Sequence, residues 1–456
     1  MTLFVFWECL ALTSVFFMTA RATPRAMKAA LRYLLFQITS GVLLLVGALL
    51  MFNQTASIAI VPLTLADPGA LFFLLAFGIK AAFPLLHNWL TDAYPEATVS
   101  GSVFLAAFTT KVAVYILART FSGLDALIYI GMVMACFPIF YAVIENDLRR
   151  VLSYSMINQI GFMVCGIGIG TELAVNGAIA HAFNDVIFKG LLMMSMGAVL
   201  WRTGEMRASN LGGLFRTMPK TAALCLVGAA SISAFPLFSG FVSKSMVMAA
   251  LLLEHHQWVW FAMLFASAGV FHHAGIKIPY FAFFAHDSGL RPKEAPRSML
   301  IAMGIAATLC IVIGSFPQLL YRHLPFAVDY VPFDIPHVVA QVQLLLFSTL
   351  AFIWLQLKNI YPAELKSTNI DSEWLYRKFL PTIYTATYVG AQKLHLTINQ
   401  LVAPIASLIR RQRKQFYRWL MSSSMYGSVH GSVQVMLGVI MSALVIVLGV
   451  FYLSAP

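Results

Sequence analysis

Residues 219–253, PKTAALCLVGAASISAFPLFSGFVSKSMVMAALLL, decide how this chain is threaded. The stretch is too long for one straight crossing, because a spanning helix needs about 20 apolar residues, and it is interrupted by Pro236 and Gly240. Counting it as one crossing or as two reverses the sidedness of everything that follows. Eleven other apolar runs read as spans: 1–20, 31–51, 69–90, 99–119, 124–144, 151–170, 173–200, 257–285, 299–316, 338–357 and 435–453. The basic residues arbitrate. With the connection 21–30 in the cytoplasm and 219–253 taken as one discontinuous helix, twelve Lys and Arg fall in cytoplasmic connections, against Arg119 and Arg322 on the other side. Lysine and arginine accumulate in cytoplasmic loops. The prediction is an all-α polytopic membrane protein of about twelve transmembrane helices with its N-terminus outside.

Composition excludes a soluble alternative. Of 456 residues, 60% are hydrophobic and 11% charged, with a mean hydropathy of +0.81; globular proteins run near 45–50% and about 25%. The net charge of +12 sits in short connections between apolar runs rather than in basic patches interleaved with aromatics, so no nucleic-acid partner is expected. Cys9, Cys136, Cys165, Cys225 and Cys310 are scattered singly. They lack metal or disulfide spacing and read as buried small hydrophobes. The first twenty residues lack a basic start and carry Glu8 in mid-run, which suits a span rather than a signal peptide. Residues 358–434 mix basic, aromatic and Leu/Ile side chains. From Trp374 to Leu420 they read as an amphipathic segment at the cytoplasmic membrane interface, broken at Pro381 and Pro404.

Once Arg32, which caps the second span, and the basic residues counted with the connections are set aside, five basic residues lie inside predicted spans, and all are lysines: Lys80, Lys111, Lys189, Lys244 and Lys277. A mid-membrane lysine costs roughly 2.5–3.5 kcal/mol on insertion, which asks for a use. A desolvated lysine can release its proton near neutral pH, whereas arginine stays charged. The plain alternative is snorkelling to the interface, which fits Lys277 and Lys111 and not Lys80 or Lys189, well inside their runs. Acids within spans are Glu8 and Asp185, with Asp125 and Glu145 at span ends. His181, Asp185 and Lys189 recur at i, i+4 and i+8, one face of one helix. Imidazole, carboxylate and amine in that order can hand a proton along. A static ion pair there would be worth about 0.2–0.5 kcal/mol on an isolated helix, and it leaves the burial unexplained.

Lys80 precedes Pro84 in AAFPL (81–85), and Lys244 follows Pro236 in SAFPL (233–237). Proline frees backbone carbonyls, which a membrane tolerates where they line a wet cavity. Two such segments in different halves point to inverted repeats with broken helices at a midplane path. The predicted layout is a first repeat at 1–144, a second at 145–285, accessory helices at 286–357, the interfacial segment at 358–434 and a last helix at 435–456.

Five segments carry a resemblance: GIKAAFPLLHNWLTDAYPEATVSGSVFLAAFTTKVAVY (78–115), DLRRVLSYSMINQIGFM (147–163), HAFNDVIFKGLLMM (181–194), FPLFSGFVSK (235–244) and GIKIPYFAFF (275–284). In this order they resemble the antiporter-like proton-translocating family. That family comprises the D and A subunits of Mrp-type monovalent cation/proton antiporters and the large membrane subunits of complex I and related hydrogenases. STNIDSEWLYRK (367–378) is similar to the branch formed by the D subunits of Na+/H+ antiporters. The resemblance implies that Glu8 pairs with Lys80 of a first broken helix and that Lys111 continues the axis. It further implies that His181 and Lys189 form a relay and that Lys244 of a second broken helix is the terminal donor or acceptor. Asp185 stands where many members have histidine, Thr91 replaces a common proline and so softens a turn, and the family's first four helices have no counterpart here.

Three readings follow. The first is a proton-conducting subunit of a multi-subunit Na+ or K+/proton antiporter in the inner (cytoplasmic) membrane. Its expected partners are other hydrophobic subunits and membrane lipid. The second is a pump subunit of a redox complex, and the third a structural subunit without transport. No flavin, quinone or iron–sulfur motif occurs, so no cofactor, metal or catalytic site is expected on the chain itself.

Overall fold

The computed structural model describes residues 1–358, 360–362, 369, 371–422 and 438. They fall into two compact units, Met1–Ser372 and the residues from Glu373 onward. The first unit begins with α1 (Thr2–Thr19), α2 (Pro24–Thr55), α3 (Ala70–Ala81), α4 (Asn88–Glu96) and α5 (Val99–Thr120). Next come α6 (Asp125–Ile144), α7 (Leu148–Ile169), α8 (Glu172–Thr203), α9 (Pro219–Ile232) and α10 (Ser239–Leu253). It ends with α11 (Gln257–Phe284), α12 (Arg297–Ser315) and α13 (Ile335–Leu357). Among the described residues nine helices are long and apolar enough to cross a membrane. The pairs α3/α4 and α9/α10 are the two interrupted segments. The predicted span 435–453 lies outside the described residues except for Gly438.

Both interruptions are built alike. At the end of α3, Ala82 takes a left-handed conformation (φ 62°). Its N–H donates to Ile79 O (3.1 Å), and that of Phe83 donates to Gly78 O (2.8 Å). At the end of α9, Ala234 does the same (φ 56°), with Ala234 N–H on Ser231 O (3.1 Å) and Phe235 N–H on Ala230 O (3.0 Å). This double closing bond satisfies carbonyls that a helix end leaves open. Pro84 and Pro236 follow one residue later, where a helix cannot resume. Gly240 is not part of the break. It lies in the first turn of α10, where a Cβ would come within 1.8 Å of Ser231 O, so the residue is small to let the two halves meet.

The remaining helices pack through small residues, as membrane helices do. A Cβ on Gly131 of α6 would fall 2.4 Å from Cys165 N of α7, and one on Gly161 of α7 would fall 2.5 Å from Ala135 N of α6. Arg149 is buried against the other end of α4, where it donates to the carbonyls of Pro95 (2.8 Å), Tyr94 (3.3 Å), Ala97 (3.0 Å) and Thr98 (3.3 Å). Thr91 stays helical, with Oγ1 donating to Asn88 O (3.2 Å), so the softened turn expected there does not occur. Cysteine burial is mixed. Cys165, Cys225 and Cys310 are buried, Cys136 is partly so, and Cys9 is exposed on the outer side of α1, contrary to expectation.

The second unit is helical from Glu373 through a π turn at Leu375–Phe379 into α14 (Leu380–Ser422). The breaks predicted at Pro381 and Pro404 are therefore absent. Pro381 falls in the first turn of α14, where a missing N–H is tolerated, and Pro404 costs the helix a bond without ending it. Lys366 and residues 423–434 of the predicted interfacial segment lie outside the described residues.

Candidate functional site

Lys80 lies in the last turn of α3, one residue before its end, and is 1% exposed. Its amine donates to Trp7 O (3.1 Å) and lies 4.2 Å from the Trp7 ring centroid, where the ring quadrupole attracts a cation. Trp7 is held in turn by Nε1–H donation to Ser40 Oγ (2.9 Å), whose hydroxyl donates to Ala76 O (2.7 Å). Glu8 Oε1 is buried without a hydrogen bond, and Gly41 leaves it room, since a Cβ there would sit 1.4 Å from that oxygen. The expected Glu8–Lys80 pair is thus not a direct ion pair. The amine has turned to the carbonyl of the preceding residue, and the carboxylate stays within electrostatic reach.

The next two charges meet across helices. Lys111 of α5 forms a buried ion pair with Asp185 of α8 and also donates to Ala106 O (3.0 Å). Ala106 belongs to a π turn, Leu105–Thr109, and such a turn shifts the ladder by a residue and frees carbonyls. Tyr94 fills the same turn from α4, donating to Leu105 O (3.0 Å) and meeting Thr109 Oγ1. Four residues beyond Asp185, Lys189 is fully buried and donates to Ser155 Oγ of α7 (2.8 Å).

His181, four residues before Asp185, has a fixed polarity. Asn158 Nδ2 contacts the backbone carbonyl of Ala135, which can only accept, so Asn158 Oδ1 faces Gln159 and takes its Nε2–H (2.7 Å). Gln159 Oε1 is left to accept from His181 Nε2 (3.0 Å). Nε2 is therefore the protonated nitrogen, and Nδ1, 3.0 Å from Ser243 Oγ, is the one that exchanges. The Ser243 hydroxyl has two uses: donating to Nδ1 when the ring is neutral, or to Ser239 O (3.3 Å) when Nδ1 carries a proton. The neighbouring residue is Lys244, 3% exposed, whose amine donates to Ile232 O (3.3 Å) at the end of α9 and lies 4.9 Å from the Phe162 ring centroid.

The three residues in register on α8 therefore do not touch one another in a row. Each turns away from α8 to other helices: His181 to α7 and α10, Asp185 to α5, and Lys189 to α7. Interhelical partners give a buried charge a closer counter-group than the next turn of its own helix does. Snorkelling fails too. Lys277 is fully buried and donates to the carbonyls of Ala142 (3.3 Å), Val143 (2.6 Å) and Glu145 (2.7 Å), capping α6.

Residues 1–270, more than half of the chain, match the family described as NADH:quinone oxidoreductase/Mrp antiporter, TM. The chain belongs to this family. It is 30% identical over 275 residues to the D subunit of the Na(+)/H(+) antiporter of Alkalihalophilus pseudofirmus strain OF4, covering 56% of each chain. It is 28% identical over 353 residues to hydrogenase-4 component B of Escherichia coli strain K12, covering 68% of this chain and 52% of that one. The chain thus spans about half the length of either relative. A chain in the structure of the Mrp complex from Dietzia sp. DQ12-45-1b has the same fold, with a TM-score of 0.65 at 23% identity over 70% of this chain and 71% of that one.

For a member of the Mrp antiporter and quinone oxidoreductase family, the polar groups of α7 are the main addition to the sequence reading. Ser155, Asn158 and Gln159 supply partners to Lys189 and His181. Three amide and hydroxyl side chains within five residues of an otherwise apolar span were the available signal. Ser243, next to Lys244, was hidden because serine is common in membrane helices.

A second cluster lies at the first break. His87 Nε2 meets Asp371 Oδ2 (3.2 Å), Tyr154 Oη donates to that same oxygen (2.7 Å), and Ser372 bonds to Asn88. Burial pushes the Asp371 carboxyl up, but the His87 bond and charge, the Tyr154 hydroxyl and the Ser372 amide outweigh it and hold it at about 2. A depressed carboxyl stabilises the docked segment above its ordinary value near 4, and that contribution is lost as pH falls through about 2. Asp371→Asn should raise amide exchange at positions 371 and 372 roughly ten- to a hundredfold at pH 7, since a charged hydrogen bond is worth ~1.5–3 kcal/mol. Unaltered exchange would show that the segment is held by something else.

Proposed function

We propose that this chain is the proton-conducting subunit of a multi-subunit Na+ or K+/proton antiporter. The observation that carries it is the series of buried ionisable groups partnered across helices: Lys80 at α1, Lys111 with Asp185, Lys189 at Ser155, and His181 between Gln159 and the Ser243–Lys244 pair. Protons move along this series, with Glu8 tuning Lys80. The partner subunits complete the cation exchange. The two interrupted segments form inverted repeats over 1–144 and 145–285, and α14 lies along the cytoplasmic interface of the inner membrane. The N-terminus faces outside, because that arrangement keeps the basic connections in the cytoplasm.

The complex reconstituted in vesicles tests this. Lys80→Ala and Lys80→Arg should each lower Na+- or K+-dependent proton movement by roughly a hundredfold, the scale of a lost proton-transfer group. Arginine keeps the charge and cannot give up the proton. Glu8→Ala should act in the same direction. Undiminished transport in Lys80→Ala would sink the pathway.

The similarity to hydrogenase-4 component B supports a second reading, a redox-driven pump arm. Iron–sulfur or flavoprotein partners co-purifying from the native membrane would favour it. Small hydrophobic partners alone would favour the antiporter.

A further inference from the structure

A cavity of about 380 Å3 lies where the ends of α1, α4 and α8 meet the starts of α2 and α7, apart from the buried series. Cavities of about 300–1,000 Å3 hold small ligands. Four arginines line it and no lysine does: Arg21 after α1, Arg25 in the first turn of α2, Arg149 in that of α7, and Arg207 after α8. A planar guanidinium forks onto paired anionic oxygens. Glu96, Asp147 and Glu205 line the cavity too, but each has an oxygen already committed. Glu96 Oε2 accepts from Arg21 Nη1 (3.2 Å). Asp147 Oδ1 accepts from the amides of Arg149 (2.9 Å) and Arg150 (3.1 Å). Glu205 Oε1 accepts from the amides of Met206 (2.9 Å) and Arg207 (3.0 Å), and its Oε2 from Asn210 Nδ2 (2.6 Å).

The positive groups are left over. Arg149 is 1% exposed; Nη1 and Nη2 hold carbonyls at the end of α4, and Nε is buried without a hydrogen bond. A buried charged donor left unmet costs free energy, which an anionic acceptor recovers. Arg25 has no ion pair or hydrogen bond among the described residues, and Arg207 comes no nearer than 4.0 Å to Glu205. The start of α2 adds to this. Pro24 has no N–H, Thr23 Oγ1 takes the Ala26 amide (3.1 Å), and no acid occupies the first turn. The Arg25 amide is therefore open, at the positive end of a 32-residue helix, a favourable place for an anion.

The site is built in advance. An antiparallel bridge pairs Asp147 with Arg207, with Leu148 N–H on Met206 O (3.0 Å) and Ala208 N–H on Asn146 O (2.8 Å). Arg149 and Arg207 thus keep a fixed spacing, and a ligand has little ordering to supply. The depth is also defined. α1, α2 and α8 are long and apolar enough to span, so their ends lie near the headgroups. Trp201, 62% exposed and next to Leu200 of the cavity wall, marks that level, because tryptophan gathers at the membrane interface.

We propose that this cavity binds an anionic phosphate group, supplied by a lipid headgroup in the leaflet on the side of the basic connections. Arg25 and Arg207 fork onto its oxygens, the Arg25 amide donates a further bond, and Arg149 adds positive charge from the wall. Basic recesses between membrane helices hold headgroups in this way. A bound phosphate ties together α1, α2, α4, α7 and α8, and it does so whichever ion the complex moves.

The complex, stripped of lipid in detergent, is titrated with dihexanoyl phosphatidylglycerol, dihexanoyl phosphatidylcholine or inorganic phosphate. The readout is the thermal midpoint, which rises when a ligand binds the folded state. Phosphatidylglycerol should raise it by about 2 °C or more, and phosphatidylcholine, whose choline cancels the charge, should not. Arg25→Gln and Arg207→Gln should each need roughly fivefold more phosphatidylglycerol for half the rise. Lys28→Gln, near the same helix end but outside the cavity, should titrate like the parent. Inorganic phosphate acting as well as phosphatidylglycerol, with the same loss in both arginine variants, would support the site and assign it to a soluble phosphate compound. Equal rises with both lipids would overturn it, as would a Lys28→Gln effect as large as that of Arg25→Gln, the mark of a diffuse surface charge. Native mass spectrometry gives a reading that does not depend on stability. Each arginine variant should retain one phosphatidylglycerol fewer per copy of this chain, and an unchanged count would overturn the proposal.

Discussion

Asp185→Asn is expected to destabilise the folded protein by about 3–5 kcal/mol, the cost of stranding one member of a buried ion pair. Lys111 loses its counter-ion in a place that is almost fully enclosed. Discharging an ordinary lysine at pH 7 instead would cost a similar ~4–5 kcal/mol, so neither escape is cheap. The measurement is the thermal midpoint of the detergent-solubilised complex. Replacing both partners, Lys111→Met with Asp185→Leu, should recover most of that loss, because apolar substitutes of similar volume often match a buried pair in stability. The double variant should still fail to transport, which separates folding from function. A single variant as stable as the parent would mean that the pair is not formed.

Lys277→Met is expected to cost about 3 kcal/mol and to leave transport per folded molecule unchanged. The amine donates to three carbonyls at the end of α6, and hydrogen bonds from a charged donor contribute ~1.5–3 kcal/mol each without adding fully. A snorkelling lysine would instead cost a few tenths. The fraction of complex surviving a fixed heat step, with transport normalised to it, tells these apart. A stable but inactive variant would move Lys277 from a helix cap into the proton series.

Much of the architecture was legible because a membrane constrains sequence so strongly. Apolar runs of sufficient length locate the helices, and nine of the predicted spans appear among the described residues with ends shifted by up to seven residues. The two interrupted segments were readable from Pro84 and Pro236. Gly240 was misjudged because a glycine beside a proline looks like part of a break, whereas here it serves the close approach of Ser231. Pro381 and Pro404 were misjudged in the opposite sense, since a proline bends a helix more readily than it ends one.

The sequence by itself determined which side chains are costly to bury: Glu8, Lys80, Lys111, His181, Asp185, Lys189 and Lys244 stand out against apolar surroundings one at a time. Only the tertiary structure decided their partners. Helical spacing predicts neighbours along one helix, and for α8 it suggested an internal row. A buried charge settles against the strongest group that packing brings within hydrogen-bond reach, and in a bundle that group usually belongs to another helix. Asp185 thus meets Lys111 across α5, and His181 is oriented by Gln159 of α7.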